Sequence, residues 1–305
     1  MIIESQAVGP FFKNGFVVSC ASTREAILID PGDEVGDLLA YAGTNRLNIR
    51  HILLTHAHVD HVTGVAAAKR ALDVPVYLHR DDLFLYERAV ETGRIFGLTV
   101  EPQPPIDVYY EPKQTITFGD YEVRWHHTPG HCPGGVCLQV GKAGEAGKDL
   151  FVGDTLFAGS IGRTDLPGGD FQVLIASIKN VLFSFADAAI VHPGHGPDTT
   201  IGQERRTNPF LIAAISHQLL AIPIVSSTRP TRSRSPAAST AFATRLSLTN
   251  VPFVLRKSTT STAVSVAVRR QCSRDTSAAS TMKSARGARP TVLIAPGVKR
   301  NVNES

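Results

Sequence analysis

The stretch LLTHAHVDHVTG, residues 53–64, places four side chains of metal-ligand type within six positions: His56, His58, Asp60 and His61. Neutral imidazole and carboxylate are groups that divalent transition metals bind in proteins. Four such groups on one short loop have little structural use, and burying them without partners would be costly. The spacing therefore predicts a metal site.

Three further residues of the same type follow along the chain, namely His131, Asp154 and His195. A lone histidine is more often structural than metal-bound, so the cluster at residues 56–61 is what makes these three candidates. The H-x-H-x-D-H spacing can direct its first two histidines at one ion and its last two residues at another, and Asp154 could bridge the ions through its two oxygens. The predicted first site is His56, His58 and His131, and the predicted second site is Asp60, His61 and His195.

Such a pair of sites predicts hydrolytic chemistry, with the ions ~3.5–4 Å apart. A water shared by divalent ions loses its proton near neutral pH, and the hydroxide can attack an acyl or ester carbon. Asp60 is the predicted catalytic residue because its carboxylate can accept a hydrogen bond from this nucleophile and orient it. Nitrogen and oxygen ligands without thiolate suit Zn²⁺, Fe or Mn, and two Zn²⁺ ions are expected.

The ligand-type residues come just past the carboxyl ends of predicted strands, on loops rich in Gly, Pro or Thr, where sheet enzymes place their chemistry. Helices are predicted at residues 62–72, from their Ala, Lys, Arg and Leu content, and at residues 170–185, with Asp170 as the N-cap. Short apolar runs predict the strands FVVSC, EAILID, HILLTH, VPVYLH, YEVRWHHT, GGVCLQVG, DLFVGD and AAIVHPGHG.

The other histidines, the cysteines and the tryptophan are given structural roles. His126 and His127 are expected to remain in a strand, and Trp125 is expected in the core. Surface or packing positions are expected for His51, His79, His192 and His217. No C-x-x-C pair occurs, so reduced, buried thiols are expected for Cys20, Cys132, Cys137 and Cys272. Neither Cys132 nor Cys137 is expected to bind a metal.

Charge divides this chain of 305 residues near residue 212. Residues 1–212 contain 17 Lys and Arg against 25 Asp and Glu, a net charge of −8, whereas residues 213–305 contain 14 against two, a net charge of +12. We predict a catalytic domain at 1–212 and a disordered basic tail, rich in Ser, Thr and Arg, at 213–305. The tail also resembles the translation of a shifted reading frame, in which case its deletion would leave folding and hydrolysis intact.

Composition also bears on the partners and the compartment. The N-terminus has no basic segment followed by an apolar core, and no apolar run approaches the ~20 residues that span a bilayer. A cytoplasmic protein without a membrane partner is therefore expected. The basic tail could bind phosphate groups, but it lacks interleaved aromatic residues and residues 1–212 are acidic, so no nucleic-acid partner is expected.

The motifs THAHVDH, HTPGHCPGG, FVGDTLF and VHPGHG occur in the order typical of the metallo-β-lactamase superfamily, which the sequence resembles over about residues 1–212. The resemblance implies an α/β fold, an αββα sandwich with a binuclear metal site along one edge of its two sheets. It also implies that the family's seven ligands fall, without substitution, on His56, His58, Asp60, His61, His131, Asp154 and His195.

Within the superfamily, the segments GDTLFAGSIGRTDLPGGD and PGHGPDTTIGQERRTNPFL resemble the compact bacterial type II glyoxalases, the hydroxyacylglutathione hydrolases. This implies hydrolysis of a small glutathione thioester such as S-D-lactoylglutathione. Asp154 stands where the commonest β-lactamase class carries cysteine, which argues against a lactamase. The tail does not resemble the helical domain with which longer glyoxalases hold glutathione. Arg163, Arg205 and Arg206 could meet a glutathione carboxylate, although loop bracing explains them more simply.

Two alternatives remain open at this point. The persulfide dioxygenases of the superfamily share a GRTD-like stretch with residues 162–165 and use one iron ion. The loop FAGSIGRTDLPGGD favours the hydrolase, and the identity and number of the metal ions would discriminate between them. The second alternative is another hydrolase of the same fold.

Overall fold

A computed structural model of the chain describes residues 1–33 and 35–212, and two six-stranded sheets form its centre. In the first sheet the first three strands pair antiparallel, and the third to sixth strands are parallel to one another. Its strands, in spatial order, are β1 (Ile2–Val8), β2 (Lys13–Ser19), β3 (Glu25–Ile29), β4 (Asn48–Leu53), β5 (Val76–Leu78) and β6 (Val108–Tyr109).

The second sheet is antiparallel except for one pair of parallel strands, Asp149–Gly153 and Ile190–Pro193. In spatial order it contains β7 (Thr115–Phe118), β8 (Tyr121–His127), β9 (Val136–Lys142), β10 (Asp149–Gly153), β13 (Ile190–Pro193) and β14 (Thr199–Thr200). A small hairpin of β11 (Leu156–Phe157) and β12 (Ser160–Ile161) follows β10 in the chain.

Helices cover the outer faces of both sheets. They are α1 (Val35–Thr44), α2 (Val59–Val62), α3 (Val65–Leu72), α4 (Leu83–Glu87), α5 (Ala89–Ile95), α6 (Phe171–Asn180) and α7 (Ile201–Thr207). Helix α6 begins as predicted, because the Asp170 side chain accepts a hydrogen bond from the Val173 N–H at 3.0 Å. This contact satisfies one of the free amide groups of the first turn.

Alternation along the strands separates three hydrophobic layers. In β3, Ile27 and Ile29 face the core between the two sheets, whereas Leu28 faces the layer shared with α1 and α3. In β10, Phe151 faces the core between the sheets and Leu150 faces the layer shared with α6. Each sheet thus buries both of its faces, and the predicted αββα sandwich is confirmed.

The main difference from the predicted elements lies at residues 62–72. One helix is predicted there, but the chain forms α2 and α3 with Gly64 between them. A β-carbon on Gly64 would lie 2.2 Å from the Gly32 carbonyl oxygen, so only glycine fits this close approach of two loops. Trp125 packs against the core between the sheets but is only half-buried, and its indole N–H donates to the Glu111 carbonyl oxygen.

Several predictions fall on residues 213–305, which lie outside the described residues. These are the disorder of the tail, the boundary at residue 212, and the assignments of His217 and Cys272. In the described part of the chain, no helix is both long and apolar enough to cross a membrane. The three cysteines within it, Cys20, Cys132 and Cys137, are buried and free, as predicted.

Candidate metal centre

The loops that follow β4 and β8 bring together the three histidines of the predicted first site. His56 comes three residues after the end of β4, and His131 four residues after the end of β8. Nδ1 of His58 lies 2.7 Å from Nε2 of His131. One ligand atom from each of the three residues lies within 4.8 Å of the other two, a spacing that one ion could span.

The residues of the predicted second site also converge. Asp60 and His61 lie in α2, and His195 follows β13. Nε2 of His195 is 3.2 Å from Oδ2 of Asp60, and Nε2 of His61 is 3.8 Å from the same oxygen. These three residues likewise offer ligand atoms within 4.8 Å of one another.

Asp154, just past the end of β10, lies between these two sets of residues, which we call the first group (His56, His58 and His131) and the second group (Asp60, His61 and His195). Its Oδ1 is 3.4 Å from Nε2 of His61, and its Oδ2 is 3.5 Å from Nε2 of His131. Oδ2 is also 3.4 Å from Nε2 of His195. One carboxylate therefore contacts both groups of histidines, which is the arrangement that a bridging ligand requires.

Hydrogen bonding tests whether these residues suit a metal. Among the described residues, four buried atoms of the site have no hydrogen-bond partner: Nε2 of His56, His58 and His61, and Oδ1 of Asp154. In two of the rings the other nitrogen has a backbone partner: Nδ1 of His131 donates to the Arg163 carbonyl oxygen at 2.7 Å, and Nδ1 of His195 donates to the Phe11 carbonyl oxygen at 3.0 Å. Ring orientation by outer partners is usual for metal-binding histidines, so the residues fit a divalent metal.

The pKa values of the histidines differ between the two groups. Burial, followed by the neighbouring His131, lowers the pKa of His58 to about 3, and burial also lowers the pKa of His56. Burial opposes the charged form of His61 as well, but Asp154 and Asp60 outweigh it and raise the pKa of His61 to about 9. The carboxylates thus create a field that favours positive charge at the second group.

Asp30, which sequence reasoning did not select, holds the second group in place. It is buried at the end of β3, and its Oδ2 lies 3.0 Å from Nδ1 of His61. The same carboxylate accepts hydrogen bonds from the Thr55 amide at 2.7 Å and the Thr55 hydroxyl at 2.6 Å. The sequence around Asp30 indicates only a turn after a strand. Its role could not be predicted from that pattern, because its partners lie 25 and 31 positions later in the chain.

Asp82, also missed, connects the two ligand-bearing loops of the first group. It is fully buried in a single 3-10 turn, Arg80–Asp82. Its Oδ2 accepts from the Ala57 amide at 3.0 Å and its Oδ1 from the Gly134 amide at 2.6 Å. The Cys132 thiol also donates to Oδ2, at 3.1 Å. The loop of His56 and His58 and the loop of His131 therefore share one carboxylate.

The loop of His195 depends on a close approach of backbone to the site. A β-carbon on Gly194 would lie 2.2 Å from Oδ1 of Asp154 and 2.7 Å from Cε1 of His61. Asn14 fixes the same loop, donating from its side chain to the carbonyl oxygens of Pro193 at 3.0 Å and Gly196 at 2.8 Å. Only glycine at position 194 leaves room for the ligands.

The predicted arginines have other partners. Arg163 is exposed and forms two 2.7 Å hydrogen bonds to Asp165. Arg205 and Arg206 both pair with Asp187, and Arg205 also donates to the Phe183 carbonyl oxygen at 2.6 Å. These contacts agree with the expectation that the three arginines brace loops, and they do not depend on a bound glutathione.

The remaining histidines and cysteines lie where structural roles place them. His126 and His127 end β8, as predicted. His192 is buried between Asp149 at 3.2 Å and Asp198 at 3.0 Å. Burial raises the pKa values of the Cys132 and Cys137 thiols, which keeps both neutral and unlike metal-bound thiolates.

Comparison with known families gives one family match. The model of the metallo-beta-lactamase superfamily matches residues 8–198, which include the seven predicted ligands. The hydroxyacylglutathione hydrolase GloC of Haemophilus influenzae is 37% identical over 190 residues, which cover 62% of this chain and 88% of that protein.

Two solved structures with the same fold are more similar to this chain in sequence than GloC is. TTHA1623, solved in a di-iron-bound form, is 45% identical with a TM-score of 0.61 and covers 68% of this chain and 100% of its own. The B3 metallo-β-lactamase BLEG-1 is 38% identical with a TM-score of 0.63 and covers 69% of this chain and 99% of its own.

Proposed function

The chain belongs to the metallo-β-lactamase superfamily of metal-dependent hydrolases, and on that basis we propose that it hydrolyses S-(2-hydroxyacyl)glutathione thioesters, such as S-D-lactoylglutathione. The products are a hydroxy acid and glutathione. The observation that carries the proposal is the position of Asp154 between two groups of three ligand-type residues. Similarity to GloC supports the substrate class.

We further propose that the seven residues hold two divalent ions, most simply Zn²⁺. One ion would be held by His56, His58 and His131, the other by Asp60, His61 and His195, with Asp154 shared. When bound, such a pair supplies a water-derived nucleophile at neutral pH and polarises the carbonyl that is attacked. Iron and manganese suit the same ligands, and the di-iron form of TTHA1623 makes iron the main competitor.

Asp60 is the residue that we propose to act on the attacking water. Its side chain is 16% exposed, and its Oδ2 faces both His195 and His61. In the metal-free chain the pKa of Asp60 is lowered despite burial, because the charge of His61 and the hydrogen bond from His195 favour the ionised form; a bound divalent cation would favour it in the same way. The ionised carboxylate has two oxygens, so one could bind the ion while the other accepts the hydrogen bond of the water and orients the water toward the acyl carbon.

The reaction balances without a side-chain nucleophile. The water oxygen forms a bond to the thioester carbon, and the bond from that carbon to sulfur breaks. One proton of the water passes to the glutathione sulfur, the other stays on the new carboxyl group, and the acyl group leaves as the hydroxy acid. Residues 1–212 are the proposed catalytic domain, which is supported by the family match at residues 8–198.

Hydrolysis of S-D-lactoylglutathione by the metal-loaded full chain tests the proposal. The Asp154→Asn variant removes the shared charge, and turnover should fall at least about 100-fold. Asp73→Asn is a matched control, because Asp73 is 96% exposed and its left-handed backbone, φ 49°, suits asparagine. Wild-type protein with two ions bound and no turnover would overturn the thioesterase proposal and leave the metal site standing.

A second candidate function is β-lactam hydrolysis, favoured by the similarity to BLEG-1. Asp154 argues only against the class of lactamases that carries cysteine at this position. A chromogenic cephalosporin in the same assay separates the candidates, because a lactamase would turn it over faster than the glutathione thioester.

A further inference from the structure

His192 is a buried histidine whose two ring nitrogens both face carboxylates. It lies in β13, and only 6% of its side chain is exposed. Nε2 forms a hydrogen bond with Oδ1 of Asp149 at 3.2 Å, and Nδ1 lies 3.0 Å from Oδ2 of Asp198. A carboxylate can only accept, and a ring lone pair directed at either oxygen would be repelled. Each ring nitrogen therefore carries a proton, and His192 is a buried cation.

The other surroundings of this cation are aromatic. The ring of His192 stacks on Phe151 of β10, with centroids 4.7 Å and planes 25° apart, and the ring of Phe16 in β2 lies 6.2 Å away. Among the described residues, Asp149 and Asp198 are the charged groups that act on it. Burial disfavours the imidazolium, but the hydrogen bond to Asp149 and the charge of Asp198 outweigh burial and raise the pKa of His192.

The ion pair with Asp198 closes the loop that carries His195. This loop, residues 194–198, leaves β13 after Pro193 and returns to the ring of His192 at Asp198. His195 lies between these two ends, with Nε2 3.2 Å from Oδ2 of Asp60. A contact that joins the ends of a short loop limits the conformations open to the residues inside it.

We propose that the imidazolium of His192 positions His195 by holding Asp198, and that release of its proton loosens the loop. His192 is thus a positioning residue for the second group. The raised pKa fixes the direction: the stabilisation is complete below the ordinary pKa of histidine and is lost as pH rises through the pKa in the folded chain. The proposal uses the proposed metal site only for the role of His195, and it does not depend on thioester hydrolysis.

The Asp198→Asn variant of the metal-free full chain tests this proposal, because Asp198 is 57% exposed and the change removes only its charge. An NMR titration of the His192 ring should show two protonated nitrogens at pH 7, and a lower pKa in the variant. Hydrogen exchange of the Gly194 amide, which donates to the Gly153 carbonyl oxygen at 2.8 Å, reports on the loop. Its protection at pH 7 should fall about two- to fivefold in the variant.

The pH profile separates a charged contact from an ordinary hydrogen bond. In the wild type, Gly194 protection corrected for the intrinsic exchange rate should fall as pH rises through the pKa measured for His192. In Asp198→Asn it should change little over the same range. Neither measurement needs a metal or a substrate, so failure of the proposed hydrolysis would be a separate result.

Asp187→Asn is the matched control, since its side chain is 54% exposed and pairs with Arg205 and Arg206 instead. Its Gly194 protection and its pH profile should match those of the wild type. A neutral His192 ring at pH 7, or equal Gly194 protection in the wild type and Asp198→Asn, overturns the proposal.

Discussion

The carboxylate of Asp30 lies 3.0 Å from Nδ1 of His61, and this contact determines which ring nitrogen faces the candidate metal centre. A carboxylate can only accept, so Nδ1 carries a proton, and in the neutral ring that binds a metal the lone pair is on Nε2. Nε2 is the atom that lies 3.4 Å from Asp154 and 3.8 Å from Asp60. A residue remote in sequence therefore sets the chemistry of a predicted ligand.

Replacing Asp30 by asparagine should weaken metal binding at the second group. The amide can donate to Nδ1 of His61, which would move the ring proton to Nε2 and block the lone pair. We expect metal affinity to fall about 10- to 100-fold, as for other outer-partner changes. Competition with a chromogenic chelator measures it, with Asp73→Asn as the control, and unchanged affinity would show that Asp30 does not set the tautomer.

Replacing Asp82 by alanine should destabilise the metal-free protein. The change leaves the buried amides of Ala57 and Gly134 without their acceptor. Each unsatisfied group costs about 1–3 kcal/mol. Urea unfolding measures the loss, and Asp81→Ala in the same turn is the control because its side chain is 57% exposed. Equal unfolding free energies for the two variants would contradict this role for Asp82.

Alanine at position 194 should disrupt the metal centre while the fold persists. The added methyl group would collide with Oδ1 of Asp154 at 2.2 Å. We expect loss of at least one bound ion, detected by metal analysis after gel filtration. Gly36→Ala in α1 is the control, because a β-carbon there meets no atom within 4 Å. Full metal content in Gly194→Ala would mean that the His195 loop tolerates a larger residue.

Metal binding should release protons in a pattern that follows the pKa values. Burial opposes the charge of His195, but Asp154 and Asp60 outweigh it and raise its pKa to about 10, while that of His61 is about 9. Both rings are therefore protonated at pH 7 without metal, whereas His58, with a pKa of about 3, is not. Loading should release about two protons per chain from these two rings, and affinity should rise with pH up to about 10.

Calorimetry in two buffers of different ionisation enthalpy counts these protons. His195→Gln removes one of the titrating rings and should lower the count to about one. Loading of the wild type at pH 7 without any proton release would contradict the charge state deduced for the second group.

Local patterns in the sequence were enough to predict much of this structure. The strands that precede the candidate ligands and the N-cap of α6 depend on neighbouring residues, and the structure agrees with them. Metal binding by the H-x-H-x-D-H residues stays a prediction, and Asp60 and His61 lie in α2 instead of on a loop. Asp30 and Asp82 could not be predicted in the same way, since each acts through partners at least 25 positions away. The break at Gly64 likewise results from a tertiary contact with the loop at Gly32.

The number of divalent ions bound per chain tests the central claim most directly. Native mass spectrometry of the zinc-loaded full chain measures this number. The account predicts two ions per chain, and fewer than two when Asp154→Asn is added. A single ion that persists in the Asp154→Asn protein would contradict a shared binuclear centre and would favour the mononuclear-iron chemistry of the persulfide dioxygenases.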